Sequence, residues 1–254
     1  MKQILVCILM IMIIGLQADC AIFQGGVSAV GKGNQVIDRD TKAPISNARI
    51  VLPKQNYSTV TDSNGFFDIG VSTTGTSVIS VEKTGYKPYS LTINSNGLNN
   101  PLILEIEKKG AHNITIDTNM YHLGDNNYSE MSANAGEFRI RPTGPFYSTI
   151  FNLSDASLTR PVYLVIGSII GIDTAMARGI GQNKITNSYA SPPEVYLNGN
   201  KIAEIKINGD GQKIKLPNNL LRRKNELTIK TGVNLMQTAY IDYDDIEIMN
   251  LYIE

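Results

Sequence analysis

Apolar residues recur along this chain in short bursts, with turn chemistry between them and no 3.6-residue period. Ala48-Arg49-Ile50-Val51-Leu52 is short, mostly apolar and β-prone, as a largely buried strand should be. Thr59-Val60-Thr61 runs through Asp62-Ser63-Asn64-Gly65 into Phe66-Phe67-Asp68-Ile69. That spacing predicts a hairpin whose turn places Gly65 at positive φ. Ser77–Val81, Tyr89–Ile93 and Leu102–Glu107 complete a first set of strands. Lys108-Lys109-Gly110-Ala111 is the expected boundary, short enough that the flanking domains should touch.

The second part repeats the β pattern. Ile114-Thr115-Ile116 opens it, and Glu137–Ile140 and Phe146–Phe151 read as strands. Val162–Ile170 is apolar at both parities, which predicts a central strand covered on both faces. The stretch from Gly171 to Asn187 reads as irregular, with room for one helical turn. Pro193–Leu197, Asn198-Gly199 and Lys201–Ile205 predict a second hairpin. Asn225–Ile229 and Ile246–Ile253 are the last predicted strands. The expected class is all-β, in two β-sandwich domains.

Ahead of all this lies an apolar run, Ile4 to Leu16, behind Met1-Lys2-Gln3 and before Gln17-Ala18-Asp19-Cys20-Ala21. Positive start, short apolar core and small-residue exit predict a signal peptide over residues 1–18, cleaved after Ala18. The run falls short of the roughly 20 residues of a membrane-spanning helix. No transmembrane span is expected in the mature chain, and the protein is expected to be exported: secreted, periplasmic or at the cell surface. Of the two cysteines, Cys7 would leave with the signal. Cys20 resembles the acylated cysteine of bacterial lipoproteins, although Asp19 departs from that motif, so lipid anchoring through Cys20 stands as the alternative.

Val36-Ile37-Asp38, Thr41, Pro44-Ile45 and Ala48 resemble the start of a carboxypeptidase regulatory-like domain. Thr61–Phe66, Ser80-Val81, Lys83 and Gly85-Tyr86 continue the resemblance. It implies a transthyretin-like, Ig-like sandwich over residues 26–108, and it implies no activity. Residues 111–254 resemble the galactose-binding-like jelly rolls of secreted and surface proteins. The residues behind this are Val195 to Gly199, Leu216-Pro217, Leu220-Leu221, Asn225, Leu227, Ile229 and Asp242-Tyr243-Asp244-Asp245.

Charge excludes one class of partner. Lys+Arg and Asp+Glu number 23 each, and no basic stripe is present, so nucleic acid is not expected. Only two histidines exist, His112 and His122. Neither begins a zinc-protease motif, and both are expected at ordinary surface or loop positions. No Gly-x-Ser-x-Gly elbow occurs. Gly26–Lys32 has the spacing of a phosphate-binding loop, but Gly33 follows where that motif needs Ser or Thr. The chain is therefore read as no enzyme.

Two sets of residues could bind a ligand. Asp242, Asp244 and Asp245, with Asp125 in a second oxygen-rich loop, could hold a structural calcium, as the resembled jelly rolls often do; the other reading is a solvated turn. Tyr121, Tyr128, Tyr189 and Tyr243 fall in loop-like stretches and could stack on sugar faces; the other reading is rim packing. The function expected is non-catalytic binding of a polysaccharide or cell-envelope glycan. A structural or adhesive protein with surface-protein partners, and an accessory module of a secreted hydrolase system, are the alternatives. An exposed row of tyrosines would favour the glycan, and an apolar patch the protein partner.

Overall fold

Fifteen strands build four sheets in a computed structural model, which describes residues 33–94, 101–128, 138–183 and 188–254. The expected signal peptide, Cys7, Cys20 and the phosphate-loop spacing at Gly26–Lys32 lie outside the described residues.

The first sandwich pairs a three-stranded sheet with a four-stranded one. β1 (Asn34–Asp38) lies between β4 (Phe66–Phe67), antiparallel, and β7 (Ile103–Ile106), parallel. The other sheet runs β3 (Tyr57–Val60), β2 (Arg49–Leu52), β5 (Thr76–Glu82), β6 (Tyr89–Asn94), all antiparallel. Val36, Ile50, Leu52, Phe67, Ile79, Val81, Leu104 and Ile106 fill the space between them.

The expected turn at Asp62–Gly65 forms, with Gly65 at φ +75 and Gly65 N–H donating to Asp62 O at 3.1 Å. It does not join a hairpin. β3 pairs with β2, while β4 pairs with β1 in the facing sheet, so the turn carries the chain across the sandwich. A turn signal reports a reversal of direction, and partner choice is made by the sheet that each strand's apolar face must cover. Gly65 also sits where a Cβ would come within 2.6 Å of the Val36 carbonyl oxygen.

The second sandwich joins two antiparallel four-stranded sheets. One runs β13 (Gly209–Leu216), β10 (Val162–Ile170), β15 (Ile246–Ile253), β8 (Ile114–Leu123). The other runs β12 (Asn200–Glu204), β11 (Glu194–Leu197), β14 (Lys224–Lys230), β9 (Phe146–Asn152). Two single-turn helices, α1 (Asp155–Leu158) and α2 (Ala175–Gly179), sit in the connections. β10 is central and almost wholly buried, as its double-parity apolar run requires. The Asn198-Gly199 hairpin forms as expected, with φ of +51 and +80. Two expectations change. Residues 138–140 are not in a strand, and β13 is an element the hydrophobic pattern does not announce. β13 is an edge strand carrying Asp210, Lys213 and Lys215, so its apolar signal is weak.

β15 explains how the two sandwiches meet. Ile246, Ile248, Leu251 and Ile253 point into the second core. That alternation slips by one residue at Met249-Asn250, where Asn250 adopts φ +58 and the register with β8 is broken. The bulge turns Met249 and Asn250 outward together. Met249 packs with Ile170 and with Val78 of β5, and Asn250 Nδ2 donates to Ser80 Oγ at 3.0 Å. Further along the same face the Ser168 and Ser90 hydroxyls lie 2.9 Å apart. Thr92 donates to Asp210 through N–H (2.9 Å) and Oγ1 (2.7 Å). Gly167 lets the layers close, because a Cβ there would lie 2.6 Å from both Ser90 Oγ and Asn250 Cβ. The β5–β6 side of the first sandwich thus lies on the outer face of the β10–β15 sheet, and residues 33–254 form one compact unit.

Candidate functional site

The acidic turn folds inward. Asp242, Asp244, Asp245 and Glu247 are all buried. Asp242 accepts from Asn127 Nδ2 (2.8 Å) and Asn234 Nδ2 (2.9 Å). Asp244 accepts from the Asp173 N–H at 3.1 Å. Asp245 accepts from the Asn126 N–H at 3.0 Å and meets His122 Nε2 at 2.7 Å. Asp125, exposed, does converge on this turn: its carboxylate accepts the Tyr243 N–H at 3.0 Å. The carboxylates therefore tie the loop at 124–128 to the turn at 242–245 through protein donors. Among the described residues no group of three or more His, Cys, Asp or Glu side chains is arranged to hold a metal ion.

His122 is no surface histidine. It is fully buried, with Nδ1 2.6 Å from the Ile140 carbonyl and Nε2 against Asp245. A carbonyl can only accept, so Nδ1 carries a proton, and the Asp245 carboxylate favours a second one on Nε2. Burial alone would lower its pKa. The hydrogen bonds to Asp245 and Ile140 and the nearby acidic charges outweigh this and raise it. The apolar run Ile246 to Ile253, with Glu247 inside it, was the available signal that something buried would have to answer that charge. The partner lies more than a hundred residues away, so spacing could not reveal it.

Glu247 stands opposite His122 on one side and Ile170 on the other, so the three side chains share a face. Both its carboxylate oxygens are buried without a hydrogen-bond partner. Burial pushes its pKa up to about 7, against the pull of Lys54 and His122. Lys54 lies 5.4 Å from the Phe138 ring, and burial lowers its pKa. Burial likewise pushes Asp173 up to about 6 and Asp244 well above the carboxylate range. His122, Glu247, Asp173 and Asp244 are buried among protein layers, while Lys54 and Phe138 line an open groove.

The four tyrosines part company. Tyr121 is half-buried, donates to Asp117 Oδ2 at 2.7 Å and packs 4.6 Å from the Tyr147 ring. The Tyr128 hydroxyl accepts the Phe138 N–H at 3.2 Å. Tyr189 is exposed, but the Arg178 guanidinium covers its ring at 4.0 Å. Tyr243 is different. Two adjoining grooves, of about 490 and 430 Å3, share Val233 and Tyr243 as common lining. The first adds Phe146, Ser191, Glu194 and Lys230, and the second adds Asn234, Gln237, Thr238 and Tyr240. Phe146 and Tyr240 are more than half exposed. Asp125 and the bridge to Val233 pin the Tyr243 backbone where the two grooves adjoin.

Residues 32–116 match the family model of the CarboxypepD_reg-like domain. The match covers about a third of the chain and runs from β1 into the start of β8. No curated protein matches the chain at a significant level.

Proposed function

We propose that this is an exported, non-catalytic glycan-binding protein whose second sandwich, a galactose-binding-like jelly roll, holds the sugar chain in the paired grooves around Tyr243. The observation behind this reading is the shared lining: one fixed tyrosine joins two grooves, with an exposed aromatic ring on each. Ring faces supply stacking, and Glu194, Lys230 and Gln237 supply partners for hydroxyls. Shallow grooves without tryptophan bury little area per sugar, so affinity should be weak. Titrating the whole protein with a panel of polysaccharides tests it. Tyr243→Ala should weaken binding roughly tenfold, the loss of one stacking contact of about 1.4 kcal/mol. No binding at millimolar sugar, or a Tyr243→Ala variant that binds like the parent, would count against it.

A second reading is an adhesive protein with a surface-protein partner. It draws on Leu235 and Met236, which are 61% and 63% exposed beside the grooves, and on Ile241, 66% exposed in the wall of the second. Substituting Leu235 and Met236, which line neither groove, with Ser should leave sugar binding intact if the first reading is right.

A further inference from the structure

β9 ends one sheet of the second sandwich, and among the described residues no strand pairs with its outer edge. Its sequence is Phe146-Tyr147-Ser148-Thr149-Ile150-Phe151-Asn152, mostly β-prone and with neither charge nor proline. Edge strands usually carry such a guard against association. β12, the opposite edge of the same sheet, carries Lys201 and Glu204, and β13 carries Asp210, Lys213 and Lys215.

The direction of the backbone groups follows from the bonds that flank the strand. Pro145 O accepts from Thr231 N–H, and Leu153 N–H donates to Arg223 O, both toward β14. Odd-numbered residues therefore bond β14, and Phe146, Ser148, Ile150 and Asn152 turn their N–H and C=O groups to the open edge. The same residues have exposed side chains, with Phe146 at 55% and Ile150 at 56%.

We propose that β9 is a homodimer interface, in which two copies of the chain pair their β9 strands antiparallel about a two-fold axis at Ser148. Ser148 then faces Ser148 of the second copy, and Phe146 faces Ile150 in both directions. Each of these outward-facing pairs exchanges two hydrogen bonds. The exposed aromatic ring meets the exposed β-branched side chain, a favourable cross-strand pair. The strand is uncharged, so a second copy meets no like-charge repulsion. The two four-stranded sheets become one continuous sheet, and each copy contributes the same surface, as a closed dimer requires. An interface of one strand pair is small, so the dimer is weak and concentration-dependent, in roughly the micromolar range. The proposal does not rest on sugar binding, and it takes the Phe146 ring into the dimer contact, leaving Tyr243 and Tyr240 as the grooves' stacking rings.

Sedimentation of the whole protein across that concentration range tests it. The parent should shift from monomer to dimer as concentration rises. Ile150→Lys should hold it monomeric, because it replaces the apolar partner of Phe146 with a charge on the strand edge. Ser148→Pro should do the same, because it removes an N–H that β14 does not use. In a Cys20→Ser background, Ser148→Cys should give a reducible covalent dimer under mild oxidation, since such pairs stand about 5.5 Å apart between Cα atoms, while the Cys20→Ser protein alone, treated alike, does not. A parent that stays monomeric throughout, a dimer that survives both Ile150→Lys and Ser148→Pro, or a Ser148→Cys protein that fails to cross-link would each overturn the proposal.

Discussion

Glu247 is an acid placed where only its neutral form is comfortable. Its pKa is about 7 in the folded chain, against an ordinary 4.5. The folded state therefore holds a proton that the unfolded chain releases, and stability falls as pH rises from about 4.5 to 7. A shift of this size is worth about 3 kcal/mol. His122 acts in the same sense. Its pKa is raised, so the stability it contributes is present below its ordinary 6.5 and is lost as pH climbs through the folded value. The melting temperature should thus drop between pH 5 and pH 8. Glu247→Gln keeps the shape without the proton, and its melting temperature should vary less over that range. A parallel decline in both proteins, followed by circular dichroism, would show that Glu247 is not the titrating group.

At the scale of elements, the hairpin of β11 and β12 shows how a buried polar side chain holds strand ends. Asn225, buried at the start of β14, accepts from Asn198 Nδ2 at 3.1 Å and from the Arg222 N–H at 2.8 Å, and donates to Arg222 O at 2.5 Å. Asn198 in turn accepts the Glu226 N–H at 2.8 Å. The Asn198-Gly199 turn was legible because positive φ restricts residue choice. Asn225 stood out in the sequence only by a resemblance, because its partner Asn198 sits in a turn distant in sequence. Asn225→Ala should leave those groups unpaired and cost about 2 kcal/mol, read by urea denaturation. A change below about 0.5 kcal/mol would mean that water replaces the side chain without penalty.

For the whole molecule, the contact between sandwiches matters most. Serine, threonine, asparagine and aspartate form a bonded seam between the layers, flanked by Val78, Ile170 and Met249. Lys87 of the first sandwich adds a bridge to Glu254 at 3.1 Å. Buried polar groups that satisfy one another across an interface make separation costly. Calorimetry should therefore record a single cooperative transition for the parent. Gly167→Val drives a side chain into Ser90 and Asn250, and should split the trace into two transitions. Retention of one transition would place the coupling elsewhere.

The β class, most strand positions, the buried centre at Val162–Ile170 and both tight turns were decided by local pattern. Alternation, β-propensity and positive-φ chemistry act within a few residues and are written in sequence order. What the tertiary structure alone decided is which strand pairs with which, and what the polar residues face. The Asp62–Gly65 turn crosses between sheets because β1 and β2 compete for its two strands. The acidic turn lies inside because donors from Asn126, Asn127, Asp173 and His122 arrive from distant parts of the chain. The Tyr243 backbone lies where two grooves adjoin because Asp125 and Val233 fix it there. Such contacts join residues far apart in sequence, and their energy depends on geometry that no local window contains.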